Sequence, residues 1–522
     1  MRGWAQDMLR AWIAIWVRLI GGVLHLRQRR QIRLFERTQR RLTQAYGLVP
    51  QTPIVHHGQA LDAALKASAA SKTRFAATSG SSGIPKQIPY TTARIRMVKR
   101  LYMDAFCRAF WATEIKRTSL YVFSATRSDD SLTTLMMAER RTLPTYFSTL
   151  QAPYRVHTHP AMLELEDRYG TLAVRLWVLA LSNPGALYAT NPSTVALFLE
   201  RVAADWAEAT ALVQDWVRDS RSFSGPVHRI ARRLESRGSA DRLERIANSP
   251  GPLPFTACVP AISFLCCWDG GYVRTYLDRI WAHLDPAKVQ HVPMYSMSTE
   301  TVETLPCFDG SAVSFLPIAP GVVSEFLPIG APCEAGQLVP AESLQVGSEY
   351  SLVVSDAWGL TRYHTEDVFS VFARVHGLPD LRFERRLGLA FSFTGEKLTG
   401  DQARLAIDAL TGVHAELSDA PWMVLVPAAC PVPHYKLVIA SDSPVTGLAQ
   451  VAAELDRALA TVNSEYADKR TSARLGPPEA VVMPFDEALS RIGGQRPGRQ
   501  WETQFKFLPM VARPYEQLLE GP

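Results

Sequence analysis

Residues 78–86 read TSGSSGIPK, two glycines and four hydroxyl side chains in one short run closed by a lysine. Glycines let backbone amides turn inward, hydroxyls add short donors and a lysine adds a point charge. Thr78, Ser79, Gly80, Ser81, Ser82, Gly83 and Lys86 therefore compose a cradle for phosphate oxygens. The run lies between two β-like stretches, Arg74–Ala77 and Gln87–Tyr90. It is not the G-x-x-x-x-G-K-[ST] loop, because the lysine does not follow the second glycine and no hydroxyl opens a helix there. Taken alone, a serine- and glycine-rich turn is as commonly a plain surface loop.

Outward from this loop the chain alternates helical and strand-like patterns. Gln28–Tyr46 repeats Ile32, Phe35, Leu42 and Ala45 at helical spacing, and a helical pattern follows the loop to about Trp111, before a β-rich run at Leu120–Ala125. Pro192–Asp215 carries one stripe through Val195, Phe198, Val202, Trp206 and Leu212, predicting a single helix. Phe255–Trp268 and Val289–Met297 read as buried strands around a helical Tyr272–Leu284, a parallel unit. Beyond Gly310 come short strands punctuated by glycine and proline (Val313–Pro317, Val322–Pro328, Tyr350–Ser355, Val368–Val375), the pattern of a barrel or a meander. After about Gly388 helix and strand alternate again, on the scale of a small lid.

The 522 residues exceed one ordinary domain, and 47% hydrophobic with 20% charged residues is globular usage. Seven cysteines without a C-x-x-C pair indicate neither a zinc knuckle nor a disulfide framework, so a reducing cytoplasm is expected. The net charge of +6 is concentrated at one end: residues 1–46 carry ten arginines against Asp7 and Glu36, and the remainder is slightly acidic. Nucleic acid is therefore not an expected partner, since phosphate binding spreads positive charge over the docking face. The apolar run Ala11–Leu26 is short and contains Arg18, which argues against a membrane span. Asp7 and Trp4 before it, and no small-residue cleavage site after it, argue against a signal peptide. A helix packed on its own domain is one reading. The other docks residues 1–24 on a membrane surface or a partner protein through Trp4, Met8, Trp12 and Trp16, leaving those residues dispensable for chemistry.

The loop TSGSSGIPK resembles the phosphate loop of the adenylate-forming superfamily, which includes acyl-CoA synthetases, luciferases and nonribosomal adenylation domains. Later segments narrow the resemblance to the acyl-acid amido synthetases of the Gretchen Hagen type. They are LPFTACVPAISFLCCWDGG (253–271), SEFLPIG (324–330), GLTRYHTEDVFSV (359–371), FERRLGLAFSFTGEKLT (383–399) and VNSEYADKR (462–470). The resemblance spans about residues 28–510. It implies an α/β fold, a large multi-layer N-terminal domain with a β-barrel-like subdomain plus a small mobile C-terminal lid. The expected boundaries are 1–26 for the amphipathic helix, 27–382 for the large domain and 383–522 for the lid.

The resemblance also implies roles. Thr299 faces the α-phosphate, and Glu300 holds Mg²⁺, a hard cation that takes a carboxylate oxygen. The family's adenine-stacking tyrosine aligns with Ser296, beside Tyr295. Asp367 accepts from both ribose hydroxyls, with Glu366 in place of a glycine and His364 in place of an arginine. Arg386 sits at the hinge near ribose, with Arg385 as its rival. Lys506, in RQWETQFKFLPMVAR, bridges the substrate carboxylate and the phosphate, with Lys397 as runner-up. The expected chemistry is amide formation from a carboxylic acid and an amine through an acyl-adenylate, with ATP and Mg²⁺, by a monomer. Thioester formation with coenzyme A and a scaffold that has lost the chemistry are the alternatives. His56-His57 and the pair His157/His159 have no third ligand nearby in sequence, so neither predicts a metal site.

Overall fold

The structure, a computed structural model, describes residues 2–56, 73–77, 87–113, 119–123, 132, 135–136, 159–270, 275–293, 297–310, 312–387, 390–391, 393, 396, 398–429, 432–471, 475–493 and 507–519. The loop 78–86 lies outside them, but the strands expected on either side are present and pair with each other. β1 (Thr73–Ala77) and β2 (Gln87–Thr91) are antiparallel, with Ala77 opposite Gln87. Thr91 then caps a helix, Thr92–Ala112, its hydroxyl accepting from Arg94 N.

Behind this hairpin stands a parallel sheet of four short strands in the order β3 (Leu120–Val122), β4 (Ala186–Tyr188), β5 (Phe264–Cys266) and β6 (Gln290–His291). The first three are wholly buried, as strands covered on both faces are. Tyr121, Leu187 and Leu265 point into the core built with helix Pro160–Ser182 and its neighbours. Leu120, Val122, Ala186, Tyr188, Phe264 and Cys266 point the other way, to Phe106 and Phe110 of helix Thr92–Ala112. The expected parallel strand-helix-strand unit is present, but Phe255–Cys258 forms a helical turn and the strand starts at Phe264. The stripe through 192–215 is two helices, Pro192–Ala204 and Trp206–Asp219, broken at Asp205. Apolar spacing is blind to such a break when both halves bury the same side.

A further helix, Arg2–Arg33, covers the Thr92–Ala112 helix, so the apolar N-terminal segment runs on past residue 26. Ile13, Val17 and Leu24 are buried, and a Cβ on Gly21 would meet the Cys107 carbonyl at 2.1 Å, so only glycine permits this crossing. The helix therefore completes a core, as the reading of a helix packed on its own domain expects. Its packing is two-faced, since Met8, Trp12, Ile15, Trp16, Leu19, Val23 and Leu26 stay exposed on the opposite face. No helix among the described residues is long and apolar enough to cross a membrane.

The glycine-punctuated strands form the hairpin β7 (Leu305–Asp309) and β8 (Ala312–Leu316) and an antiparallel sheet of five strands. Its order is β10 (Val339–Pro340), β9 (Val322–Pro328), β11 (Glu349–Asp356), β12 (Tyr363–Val375) and β13 (Leu378–Arg386), in which β11–β13 form a meander and β10 lies outside β9. His376 and Gly377 both have positive φ at the β12–β13 turn, matching the twist of a tight hairpin. Arg362 enters β12 through a fork: Nε and Nη2 donate to Glu325 at 2.9 and 2.8 Å, while Nη1 donates to the carbonyls of Thr52, Val49 and Pro50. The parallel bridge Val55–Tyr363 follows from this anchoring.

After the small β14 (Ala390–Phe391) and β15 (Leu398–Thr399) pair, a three-stranded sheet sits between two cores. It comprises β16 (Trp422–Ala428), β17 (His434–Ala440) and β18 (Glu479–Met483). Trp422, Val424, Val426, Val438 and Ala440 join the core of helix Pro160–Ser182; Leu425, Tyr435, Leu437 and Ile439 face helices Gly400–Thr411 and Leu448–Val462. Alternation on both faces covers the sheet completely.

Because Arg362 is buried with its charge balanced, Arg362→Ala strands Glu325 and three carbonyls. The expected loss is about 3–5 kcal/mol of unfolding free energy, read from urea denaturation. A loss under about 1 kcal/mol would show that the fork carries little of the fold.

Candidate functional site

The site is assembled on one buried arginine. Arg94, in the first turn of the helix that Thr91 caps, donates from Nη1 to Pro89 O at 3.0 Å and from Nη2 to Glu300 O. It lies 3.6 Å from Asp356 and stacks over Tyr90, 4.4 Å from the ring centroid. Tyr90 in turn donates to Thr299 O at 2.8 Å. Burial, outweighing the pull of Arg94, pushes the Tyr90 phenol up to about 12, so it stays a donor. The end of the β1–β2 pair away from residues 78–86 is thus bonded directly to the Thr299–Glu300 turn. Sequence reading missed Tyr90 and Arg94. Their only local signal is polarity inside an apolar run, a tyrosine closing a strand and an arginine on a helix face that buries Ile95 and Val98.

Glu300 is buried, and its Oε1 has no hydrogen-bond partner among the described residues. A buried carboxylate oxygen without a donor is costly unless a cation or ligand approaches it, so Glu300 is chemically suited to a hard divalent ion. Thr299 is half-buried beside it. The other half of the site comes from the β12–β13 pair, where Asp367 stands opposite Arg386 in register. Asp367 is buried and its amide donates to Thr365 Oγ1 at 3.2 Å. Arg386 donates to Thr365 O at 3.4 Å and approaches Glu366 to 3.5 Å. Burial alone would lower the Arg386 guanidinium, but Asp367, Glu300, Glu366 and Tyr363 more than offset it and hold it above its ordinary range. Tyr363 is fully buried among the same groups, its phenol raised by burial and then by Glu300. Glu300, Asp367 and Arg386, far apart in sequence, therefore share one electrostatic environment.

Of the residues expected from sequence, Thr299, Glu300, Asp367 and Arg386 are brought together. Thr78, Ser79, Gly80, Ser81, Ser82, Gly83, Lys86, Tyr295, Ser296, Lys397 and Lys506 lie outside the described residues, as does the Arg385 side chain. The two substitutions have distinct consequences. Glu366 holds φ of +65°, so the backbone keeps a glycine-like conformation without the glycine. His364 is buried and bonds Ser351 Oγ at 2.8 Å, with its imidazole lowered by burial and then by His56. His159 accepts from Ala161 N to cap helix Pro160–Ser182, and His157 lies outside the described residues.

A model of the GH3 family N-terminal domain matches residues 66–288, and a model of the GH3 family central domain matches residues 315–386. Together they take in more than half of the chain. The chain belongs to the GH3 family. It is 35% identical over 100 residues to a probable indole-3-acetic acid-amido synthetase GH3.9 of Oryza sativa subsp. japonica, covering 19% of this chain and 22% of that protein. It is 30% identical over 163 residues to indole-3-acetic acid-amido synthetase GH3.3 of Arabidopsis thaliana, covering 27% of each. The aligned stretch thus spans about a quarter or less of these curated relatives. In fold, this GH3-family chain superposes on the AtGH3.15 acyl acid amido synthetase solved with 2,4-DB. The TM-score is 0.65 and the identity 17%, over 86% of this chain and 80% of that one. The α/β architecture of the family is thereby shared.

Glu366→Gly is expected to raise stability by about 0.5 kcal/mol. A left-handed non-glycine residue costs about 1–2 kcal/mol, against about 0.5–1 kcal/mol for the unfolded freedom of glycine. The urea midpoint reads this directly; a fall instead would show that the Glu366–Arg386 contact outweighs the backbone strain.

Proposed function

We propose that this chain is an ATP-dependent ligase that activates a carboxylic acid as its acyl-adenylate and transfers the acyl group to an amine. The observation that carries this reading is the meeting of Glu300, Asp367 and Arg386 beside the hairpin that bears TSGSSGIPK. A carboxylate is a poor electrophile, because its leaving group is an oxide. Attack of a carboxylate oxygen on the α-phosphorus of ATP expels pyrophosphate. Attack of an amine nitrogen on the resulting mixed anhydride expels AMP, with loss of one proton from the nitrogen.

In this reading Thr78, Ser79, Gly80, Ser81, Ser82, Gly83 and Lys86 hold the phosphates, and Tyr295 or Ser296 lines the adenine. Asp367 accepts from the ribose hydroxyls, Arg386 lies near the ribose, and Lys506 offsets charge as it develops on the reacting phosphate. The buried, unpartnered oxygen of Glu300 suits Mg²⁺, with Thr299 at its side; the ion, when bound, offsets phosphate charge. The amine acceptor is preferred over coenzyme A because the relatives are named amido synthetases. Acid-dependent exchange of labelled pyrophosphate into ATP tests the adenylation, and its absence with a broad set of acids would favour a scaffold. Product analysis with amines and with coenzyme A then separates amide from thioester. Lys506→Ala should lower exchange about a hundredfold or more, equal to about 2.7–4 kcal/mol; near-normal exchange would move the role to Lys397.

The outer face of helix Arg2–Arg33 supports a second element of this proposal, docking on an anionic lipid surface. Trp12, Trp16, Leu19, Val23 and Leu26 repeat at helical spacing, and the exposed Arg30 and Arg33 continue the same stripe. Apolar insertion flanked by arginines matches an anionic headgroup layer. Trp12→Glu with Leu19→Glu should abolish sedimentation with phosphatidylserine vesicles while leaving pyrophosphate exchange intact. Unchanged sedimentation rejects the docking, and loss of a dimer instead would assign the stripe to a second copy of the chain.

A further inference from the structure

Apart from the residues assigned above, the fold gathers three side chains that sequence spacing leaves isolated. Cys333 Sγ lies 4.0 Å from His56 Nε2 and 4.0 Å from His364 Nδ1, and the three ligand atoms fall within 4.8 Å of one another. We propose that His56, Cys333 and His364 bind one zinc ion through two imidazole nitrogens and a thiolate, with the fourth position open to water.

Four observations support the assignment. A tetrahedral zinc with Zn–S of about 2.3 Å and Zn–N of about 2.0–2.1 Å separates sulfur from nitrogen by about 3.6 Å, so both sulfur–nitrogen separations of 4.0 Å close on an ion with shifts of a few tenths of an ångström, and the two imidazoles, whose ligand atoms lie within 4.8 Å, turn toward each other across it. The ligands are also set by backbone bonds and not by chance proximity. Val55 N donates to Arg362 O at 2.9 Å and His364 N donates to Val55 O at 3.0 Å, which fixes the residue after Val55 beside His364. Cys333 sits in the β9–β10 connection, where Ala331 N bonds Pro328 O and Glu334 N bonds Pro332 O.

The third observation concerns the tautomer. Ser351 Oγ donates to Asp367 O at 3.4 Å, which leaves it to accept from His364 Nε2–H at 2.8 Å. The lone pair of His364 is then on Nδ1, the atom facing Cys333. This is the outer-shell arrangement that orients metal-bound histidines. Finally, His56 and Cys333 are exposed, giving the ion an entry path to a buried third ligand. Two imidazoles with one thiolate suit zinc better than magnesium or calcium, which take oxygen donors. Binding replaces the Cys333 proton, which is released to solvent, and involves no redox change. The ion clips the segment before residue 57 and the β9–β10 connection onto β12, so its binding energy is also folding energy.

The test uses full-length protein purified without a metal-binding tag, stripped with a chelator and titrated with zinc against a chromophoric competitor, and in parallel with cobalt. Wild type should bind one ion per chain, show a thiolate-to-cobalt charge-transfer band and melt at a higher temperature with zinc. Cys333→Ser and His56→Gln change exposed residues and should fold normally. Each should lose at least about a hundredfold in zinc affinity, together with the thermal shift, and Cys333→Ser should also lose the band. Wild-type binding no tighter than that of Cys333→Ser, or a cobalt spectrum without the thiolate band, overturns the proposal. Neither outcome depends on ligase activity.

Discussion

Arg94 is the constraint on which the candidate site depends. Its guanidinium is buried and meets Asp356 on β11, the Pro89 carbonyl on β2, the Glu300 carbonyl and the face of Tyr90. These partners come from three separate segments, since Pro89 and Tyr90 both lie on β2, so one planar cation ties the β1–β2 pair, the Thr299–Glu300 turn and the antiparallel sheet together. An isolated buried charge would be prohibitive; here the fork of donors and a carboxylate compensate it, and Asp356 is itself held by the amides of Trp358 and Leu360. Arginine suits this better than lysine, because a single ammonium has no flat fork to span carbonyls in several directions.

The sheet supplies the second coordinate of the site. Asp367 faces Arg386 because β12 and β13 pair in that register, and a one-residue slip would turn the carboxylate to the opposite face. Register is pinned at both ends of this hairpin. At the far end it is the His376–Gly377 turn; at the near end it is Arg362, whose fork onto Glu325 and three carbonyls anchors the start of β12. Between them Glu366 holds a left-handed backbone, so strain sits one residue from the carboxylate that the site needs, as is common where geometry serves binding.

The layers explain why those coordinates are stiff. Helix Thr92–Ala112 lies between the parallel sheet and helix Arg2–Arg33, so the first turn holding Arg94 belongs to a helix packed on both sides. On the other side of the parallel sheet, Phe507 joins Tyr276 and Trp422, with ring centroids 5.7 Å apart in each case. The C-terminal sheet therefore shares a core with the helices of the larger part.

Much of this was legible in the sequence. The strand Val322–Pro328 and the strands on either side of 78–86 follow from residue type and local alternation, because dihedral preference and burial period are local properties, whereas Glu300, Asp367 and Arg386 were marked by the family resemblance of the segments that hold them. What the sequence could not show was every feature set by distant packing. Helix breaks at Leu34 and Asp205 interrupt stripes that look continuous, and one face of helix Arg2–Arg33 is buried while the other is bare. Tyr90 and Arg94 are tied to residues more than two hundred positions away, and Cys333 comes to lie between His56 and His364. The sequence by itself determined which residues are chemically able to act and which segments form strands or helices. Only the tertiary structure decided which of them meet, because register and close packing join groups whose separation along the chain carries no local signal.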